Sequence, residues 1–356
     1  MFALVAIVES YVAHRPLEFS SSLAFTWKTV GDSARGPDAR SELLCLGDSM
    51  VKVAVVPRVL EQRLGRSAYN LAVIGGQAPT SFFVLRRALE SGARPRAVVV
   101  DFHSNLLAVS PISSAPNWSE LVDRRDALDL VATTRDTGLV AAELGPWLLR
   151  SYKGRDEIRD AILAALHGAE RGAVFNRRAM RRNWEQNAGA YVVDGSRKPF
   201  NSTGSASGKK GVWKPHPANV AYVRRFIELS EQHGITVFWL VAPTHPDWQA
   251  RREELGAEAP FAAFIRAISR QYANLVVVDG RHSGYGREVF VDDTHLNRRG
   301  AIELSEALAT IMASHLNRPA SDPSRWVALP AFQGRRGDDH GIETLAESER
   351  AVRARR

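Results

Sequence analysis

Two places in this sequence carry side chains suited to attack on an ester. The first is Gly47-Asp48-Ser49-Met50, which follows the apolar run Leu43-Leu44-Cys45-Leu46. The second is Phe290-Val291-Asp292-Asp293-Thr294-His295-Leu296-Asn297. A serine hydroxyl becomes a nucleophile when an imidazole takes its proton. A carboxylate on the far imidazole nitrogen fixes the tautomer and stabilises the imidazolium. Asp292 stands three residues before His295, so one loop can set a carboxylate against one ring nitrogen and leave the other free. Each motif also has a plain structural reading. Ser49 is a residue type that caps helix N-termini, and an isolated Asp-x-x-His reads equally well as a capping histidine beside solvated acids. Asp48 is read as bracing the turn, with Asp292 as the acid.

Positioning these groups needs a sheet, and the sequence describes one. Apolar runs at 43–46, 68–74, 97–102, 235–242 and 275–278 alternate with stretches of helical period at 51–64, 80–91, 217–233, 260–272 and 298–316. Continuous apolar strands separated by helices are the pattern of a parallel sheet covered on both faces. The expectation is a five-stranded parallel sheet in an α/β chain. The glycine pair Gly75-Gly76 and the segment around Asn105 follow the second and third strands, and His245 follows the fourth. In a doubly wound sheet such carboxyl ends gather the functional site.

The rhythm breaks between 106 and 215, where no core strand is evident and 119–133, 137–150 and 156–167 read as helices. This is expected to be a largely helical insertion after the third strand. It carries a basic cluster (Arg177, Arg178, Arg181 and Arg182) and a loop-like run at 201–211. Residues 1–40 read as an apolar segment at 1–13, either a membrane anchor or an amphipathic helix packed on the domain, followed by a polar connector. A spanning helix needs about 20 apolar residues, so the segment is short. Residues 41–317 form the main domain, and 318–356 read as a basic, disordered tail.

The chain has 356 residues with 45% hydrophobic and 24% charged content, the composition of a soluble globular protein. The net charge of +8 favours anionic partners, but no nucleic-acid-binding module is recognisable, and no nucleic-acid partner is expected. The single cysteine, Cys45, has no internal disulfide partner and reads as a small buried hydrophobe. No clustered Cys/His spacing appears, so no metal and no cofactor are expected. His245 is a candidate for lining the substrate pocket. His103 reads as buried, and His216 as a helix-start residue. Trp184, Trp213 and Trp248 are available either to stack on sugars or to pack.

Taken in order, four blocks resemble the SGNH (GDSL-type) hydrolase superfamily. They are Gly47-Asp48-Ser49-Met50, Asn70-Leu71-Ala72-Val73-Ile74-Gly75, Val100-Asp101-Phe102-His103-Ser104-Asn105 and Asp292-Asp293-Thr294-His295. The resemblance covers 42–105 and 235–316. It implies a flavodoxin-like three-layer α/β/α sandwich, a Ser49-His295-Asp292 triad and an acyl-enzyme. It also implies an oxyanion hole formed by the N–H groups of Ser49 and Gly75 and the side chain of Asn105. Ser104 and Leu106 stand where the third block usually has Gly and Asp, and Met50 where the first has Leu. These departures, with the ending Asp292, His295, Leu296, Asn297 and Gly300, are similar to the cell-envelope polysaccharide O-acetyltransferases and esterases. The implied partner is an acylated carbohydrate or small ester in the cell envelope. Hydrolase and transferase share one such site. A non-catalytic glycan-binding or assembly protein on the same fold is the reading from another class.

Overall fold

The structure is a computed structural model. It describes residues 22–111, 117, 118, 121–134, 170–195, 213–316, 325–334 and 337–354, together with Ser10 and Gly138. The segment at 1–13 (Ser10 apart), the expected helices at 137–150 (Gly138 apart) and 156–167, and the loop at 201–211 lie outside the described residues.

Six strands form one all-parallel sheet: β1 (Leu43–Leu46), β2 (Ala68–Asn70), β3 (Ala97–Val100), β4 (Thr236–Val241), β5 (Leu275–Asp279) and β6 (Trp326–Ala328). Their spatial order is β2-β1-β3-β4-β5-β6. The helices are α1 (Ser22–Ser33), α2 (Ser49–Ala54), α3 (Pro57–Leu64), α4 (Ala78–Glu90), α5 (Ser104–Ala108) and α6 (Arg124–Thr134). After them come α7 (Glu170–Gln186), α8 (Pro217–Gln232), α9 (Pro246–Glu254), α10 (Glu258–Ser269), α11 (Arg298–Leu316) and α12 (Leu345–Ala354).

Successive strand residues point to opposite sides of a sheet, and the core divides accordingly. Leu44, Leu46, Val98, Val100, Val237 and Trp239 pack into one buried cluster with α1, α4, α8 and α10. Leu43, Cys45, Ala97, Val99, Phe238 and Leu240 pack into a second with α2, α3 and α11. Cys45 is fully buried there, and burial pushes its thiol pKa up to about 12, as expected of an inert hydrophobe.

Four expectations are corrected. The sheet has six strands, not five, because β6 pairs with β5 through Val277↔Trp326, Val278↔Val327 and Asp279↔Ala328. Three residues are too few to display a period, so this strand is defined by its neighbour. The tail is therefore not a uniformly disordered extension: it supplies β6 and α12. Residues 22–33 of the polar connector form α1, which buries Trp27 and Val30 and donates the Trp27 indole N–H to Ile74 O at 3.0 Å. The helix read at 51–64 is two helices. Pro57 lacks an N–H and starts α3, while Val56 N–H donates to Ser305 Oγ at 2.9 Å.

The insertion returns to the sheet through α7, whose following loop lies on the edge strand, with Asn70 N–H donating to Ala188 O at 2.9 Å. The tail then clamps it. Arg182 makes two 2.7 Å hydrogen bonds to the Glu343 carboxylate. Asn183 and Asn187 each donate to Glu343 O at 2.7 Å.

Under this loop Lys52 is fully buried. Its Nζ lies 3.0 Å from the centre of the Trp184 ring and 3.4 Å from Asn70 O. Burial pushes its pKa well below the ordinary lysine value, and among the described residues no acidic side chain is hydrogen-bonded to it. The unfolded chain holds that proton up to about pH 10.4. Between the two values the unfolded state binds more protons, so folding stability rises with pH in that window. Lys52→Met should therefore be more stable than the wild type at pH 7, by about 1–3 kcal/mol. The gain should shrink as the pH approaches 10. Urea unfolding at the two pH values checks this.

Candidate active site

Strand β1 is flanked by β2 and β3, so the connections leaving β1 and β3 run to opposite sides and open a crevice at their carboxyl ends. Gly47 sits there with φ +122°. A Cβ at this position would lie 2.8 Å from Asp101 O and 2.9 Å from Asp101 N. Only glycine lets the ends of β1 and β3 approach this closely. Gly47→Ala is expected to cost about 2–4 kcal/mol, from left-handed strain and backbone overlap together. A shifted denaturant midpoint would measure it.

The next residues settle the capping question. Asp48 is the N-cap of α2, and its carboxylate accepts from Met50 N–H at 2.7 Å. Ser49 is the first helical residue and half-buried. Its N–H belongs to the first turn, which has no intrahelical acceptors. Asp48 thus braces the turn, as expected from the sequence.

The second block runs on beside β1. Leu71 N–H donates to Cys45 O at 2.7 Å and Val73 N–H to Gly47 O at 2.9 Å. Asn70 ties it to α2, donating to Val51 O and Val55 O at 3.0 Å each and accepting from Ala72 N–H. The chain then turns at Gly75, with φ +71°. Among the described residues the Gly75 N–H makes no hydrogen bond.

The third block holds Asn105 on the short helix α5. Its carbonyls are tied from outside, since five residues cannot satisfy their own. Gln77 donates to Leu106 O and Val109 O, and Asn219 to Leu106 O, Leu107 O and Val109 O. His216 N–H donates to Leu107 O, and the Trp213 indole to Ser104 O. His216 also caps α8, the helix-start role read from the sequence.

Asp292 and His295, the candidate acid and base, lie in a tight loop between β5 and α11. Val291 N–H donates to His295 O and Asn297 N–H to Val289 O. Gly300 packs so closely that a Cβ would lie 2.9 Å from the Leu296 side chain and 3.1 Å from Val289 O. Within the loop Asp292 Oδ1 accepts from Thr294 N–H and His295 N–H, both at 2.8 Å. Asp292 Oδ2 is 2.7 Å from His295 Nδ1. Burial alone would raise the Asp292 carboxyl. The bond and charge of His295 and the two N–H donors outweigh it and hold the carboxyl well below the usual range.

His295 Nε2 is buried and has no hydrogen-bond partner among the described residues. The Ser49–His295 hydrogen bond is therefore not made in this structure, although His295 is close enough to pull the Asp48 pKa down. Such catalytic bonds are often loose in the absence of substrate. Asp292 and His295 are brought together, and Asn105 and Gly75 stand at neighbouring strand ends.

Beneath the crevice lie two buried carboxyls. Burial pushes Asp48 up to about 6, against the Met50 N–H and His295. Burial and the neighbouring Asp48 push Asp101 well above the carboxylate range. His103, which precedes α5, is pushed down to about 3 by burial and by the charges of Arg252 and His295. Burial and the repulsion between the two carboxyls thus both work against a pair of negative charges at this floor.

His245 is not among the residues lining the cavity beside it. It is fully buried, caps α9 by accepting from Asp247 N–H, and meets Phe290 edge-on at 5.6 Å. Its own N–H donates to Asp293 O at 3.0 Å, so it steadies the acid-base loop. Its neighbours Thr244 and Pro246, with Glu253, His282 and Tyr285, line a cavity of about 300 Å³ between the loops after β4 and β5. The three tryptophans pack: Trp184 on Lys52, Trp213 against Phe261 and Phe264, and Trp248 in the interior. Among the described residues no helix is long and apolar enough to cross a membrane, and no group of three or more His, Cys, Asp or Glu is arranged to hold a metal ion.

Sequence reasoning did not find Gln77, Asn219 or Arg252, which act on the third block from distant elements. Only the position of Gln77 just after Gly75-Gly76 gave any signal. Neither the family models nor the curated proteins contain a match to this chain.

Proposed function

We propose that this protein is an SGNH-type serine esterase or O-acyltransferase on a flavodoxin-like α/β/α sandwich. The observation that carries the reading is the Asp292–His295 pair at 2.7 Å, whose second imidazole nitrogen is buried and has no partner among the described residues, in a site that also holds Asp48 and Ser49. In the proposed reaction His295 Nε2 takes the Ser49 proton as Ser49 Oγ attacks an ester carbonyl. The N–H groups of Ser49 and Gly75 and the Asn105 amide receive the oxyanion. His295 then returns the proton to the departing alcohol, leaving an acyl group on Ser49. Water or a second hydroxyl, deprotonated in turn by His295, releases it. Two carboxyls under β1 and β3 whose pKa values are raised by burial suit a site where negative charge develops. The proposed substrate is an acetylated polysaccharide of the cell envelope, reached by a protein whose residues 1–13 associate with the membrane.

A fluorophosphonate probe should label Ser49, located by peptide mapping, and an activated acetyl ester should be turned over. Absence of both would leave the non-catalytic glycan-binding reading in its place. Adding a glycan acceptor separates the two enzymes: a transferase loses hydrolysis flux to acceptor acylation, and a hydrolase does not.

A further inference from the structure

We infer that Arg252 is a positioning residue that fixes which way the Asn105 amide faces; this rests on the oxyanion role proposed for Asn105. Arg252 lies on α9, far from the third block in sequence. It is 7% exposed, and its Nη1 is 3.2 Å from Asn105 Oδ1. A guanidinium carries only donors. An asparagine amide carries one acceptor and one donor group, so the atom facing Arg252 must be Oδ1. The NH₂ then points the other way, and among the described residues it donates to nothing. An oxyanion hole needs this orientation, because a flipped amide would offer a lone pair to a developing negative charge. The cation on Oδ1 also polarises the amide and strengthens its N–H as a donor.

Arg252 is itself held. Its Nε donates to Glu258 Oε2 at 2.9 Å, and Arg281 Nη1 donates to Glu258 Oε1 at 3.0 Å. Arg281 grips Asp279 through Nε at 2.8 Å and Nη2 at 2.6 Å, and the Trp326 indole closes the chain on Asp279 Oδ2 at 3.2 Å. A line of alternating charges thus runs from the sheet edge at β6 to the amide of Asn105. The Arg252 guanidinium is held through Nε by Glu258 while its Nη1 faces Asn105, so the amide faces a fixed cation and not a mobile one.

Arg252→Met removes the donor, and Arg252→Lys keeps the Glu258 ion pair for a variant certain of its charge balance. One ammonium does not span both partners, so both variants release Asn105. The expected result is a fall in kcat of about tenfold or more for Arg252→Met and a smaller fall for Arg252→Lys, with KM changed less than about twofold. In an Asn105→Ala background neither substitution should lower kcat further. A readout independent of turnover is the side-chain NH₂ pair of Asn105 in ¹⁵N-resolved NMR spectra, assigned by its loss in Asn105→Ala. It should move in both arginine variants. An unmoved NH₂ pair in a folded variant, or an equal loss of kcat with and without Asn105, would overturn the inference. Failure of Ser49 labelling and of ester turnover would overturn the esterase reading instead, and the NMR result would still decide what Arg252 does to the amide.

Discussion

Ser49→Ala is expected to lower kcat on an activated acetyl ester by about 10⁵-fold or more, the scale seen when the nucleophile of a triad is removed. The fold should not notice. Asp48, not Ser49, caps α2, and no hydrogen bond from Ser49 Oγ to another described residue holds the turn. Stability should stay within about 0.5 kcal/mol of the wild type, as for a substitution that removes no cap and no buried contact. That combination separates chemistry from scaffolding: a capping serine would cost stability and leave turnover intact. Unchanged turnover in a folded Ser49→Ala protein would rule out the proposed nucleophile.

Asp292→Asn should cost about 10⁴-fold in kcat, with little change in KM. The asparagine can keep its Oδ1 where Asp292 Oδ1 sits, accepting from the N–H groups of Thr294 and His295. Its NH₂ then faces His295 Nδ1 and donates to it. The imidazole is driven to carry its proton on Nε2, the nitrogen that must be free to accept from Ser49. The loop stays folded while the base is in the wrong tautomer. Asp292→Ala, which also removes the two backbone bonds, should lower stability as well as activity. Because the wild-type carboxyl is held well below the usual carboxylate range, Asp292 stays ionised through mildly acidic conditions. The acid limb of a pH–rate profile is therefore not the titration of Asp292, and a variant lacking Asp292 should not be rescued by raising the pH. A steady-state pH series on the two proteins checks both points.

What was legible in the sequence follows the range over which its signals act. Strands β1, β3, β4 and β5 announce themselves as continuous apolar runs because both their faces are buried. Asp292 and His295 are read from a three-residue spacing that the loop itself enforces. Strand β6 is invisible, since Trp326-Val327-Ala328 has meaning only beside Val277, Val278 and Asp279. Helix α1 is obscured by its polar and glycine residues, although Trp27 and Val30 decide its packing. Histidine at 245 reads as a pocket residue because it follows a strand, but its ring serves as the cap of α9 and turns inward. The supports of Asn105 were almost entirely out of reach, the place of Gln77 just after Gly75-Gly76 being the one local signal. Gln77, Asn219 and Arg252 stand between 28 and 147 residues away from it in the chain, and nothing local distinguishes an arginine that orients an amide from one on the surface.

The late position of β6 and of the Glu343 clamp has a consequence for how the molecule is made. Synthesis runs from the amino end, so β5 leaves the ribosome before the strand that covers it. Until Ala328 has emerged, β5 is an open parallel edge of Leu275-Val276-Val277-Val278, the kind of surface that recruits strands from other chains. The loop bearing His295 and the returning end of the insertion are likewise complete before Glu343 exists to hold them. A nascent chain thus carries every residue of the proposed chemistry while the sheet is still one strand short.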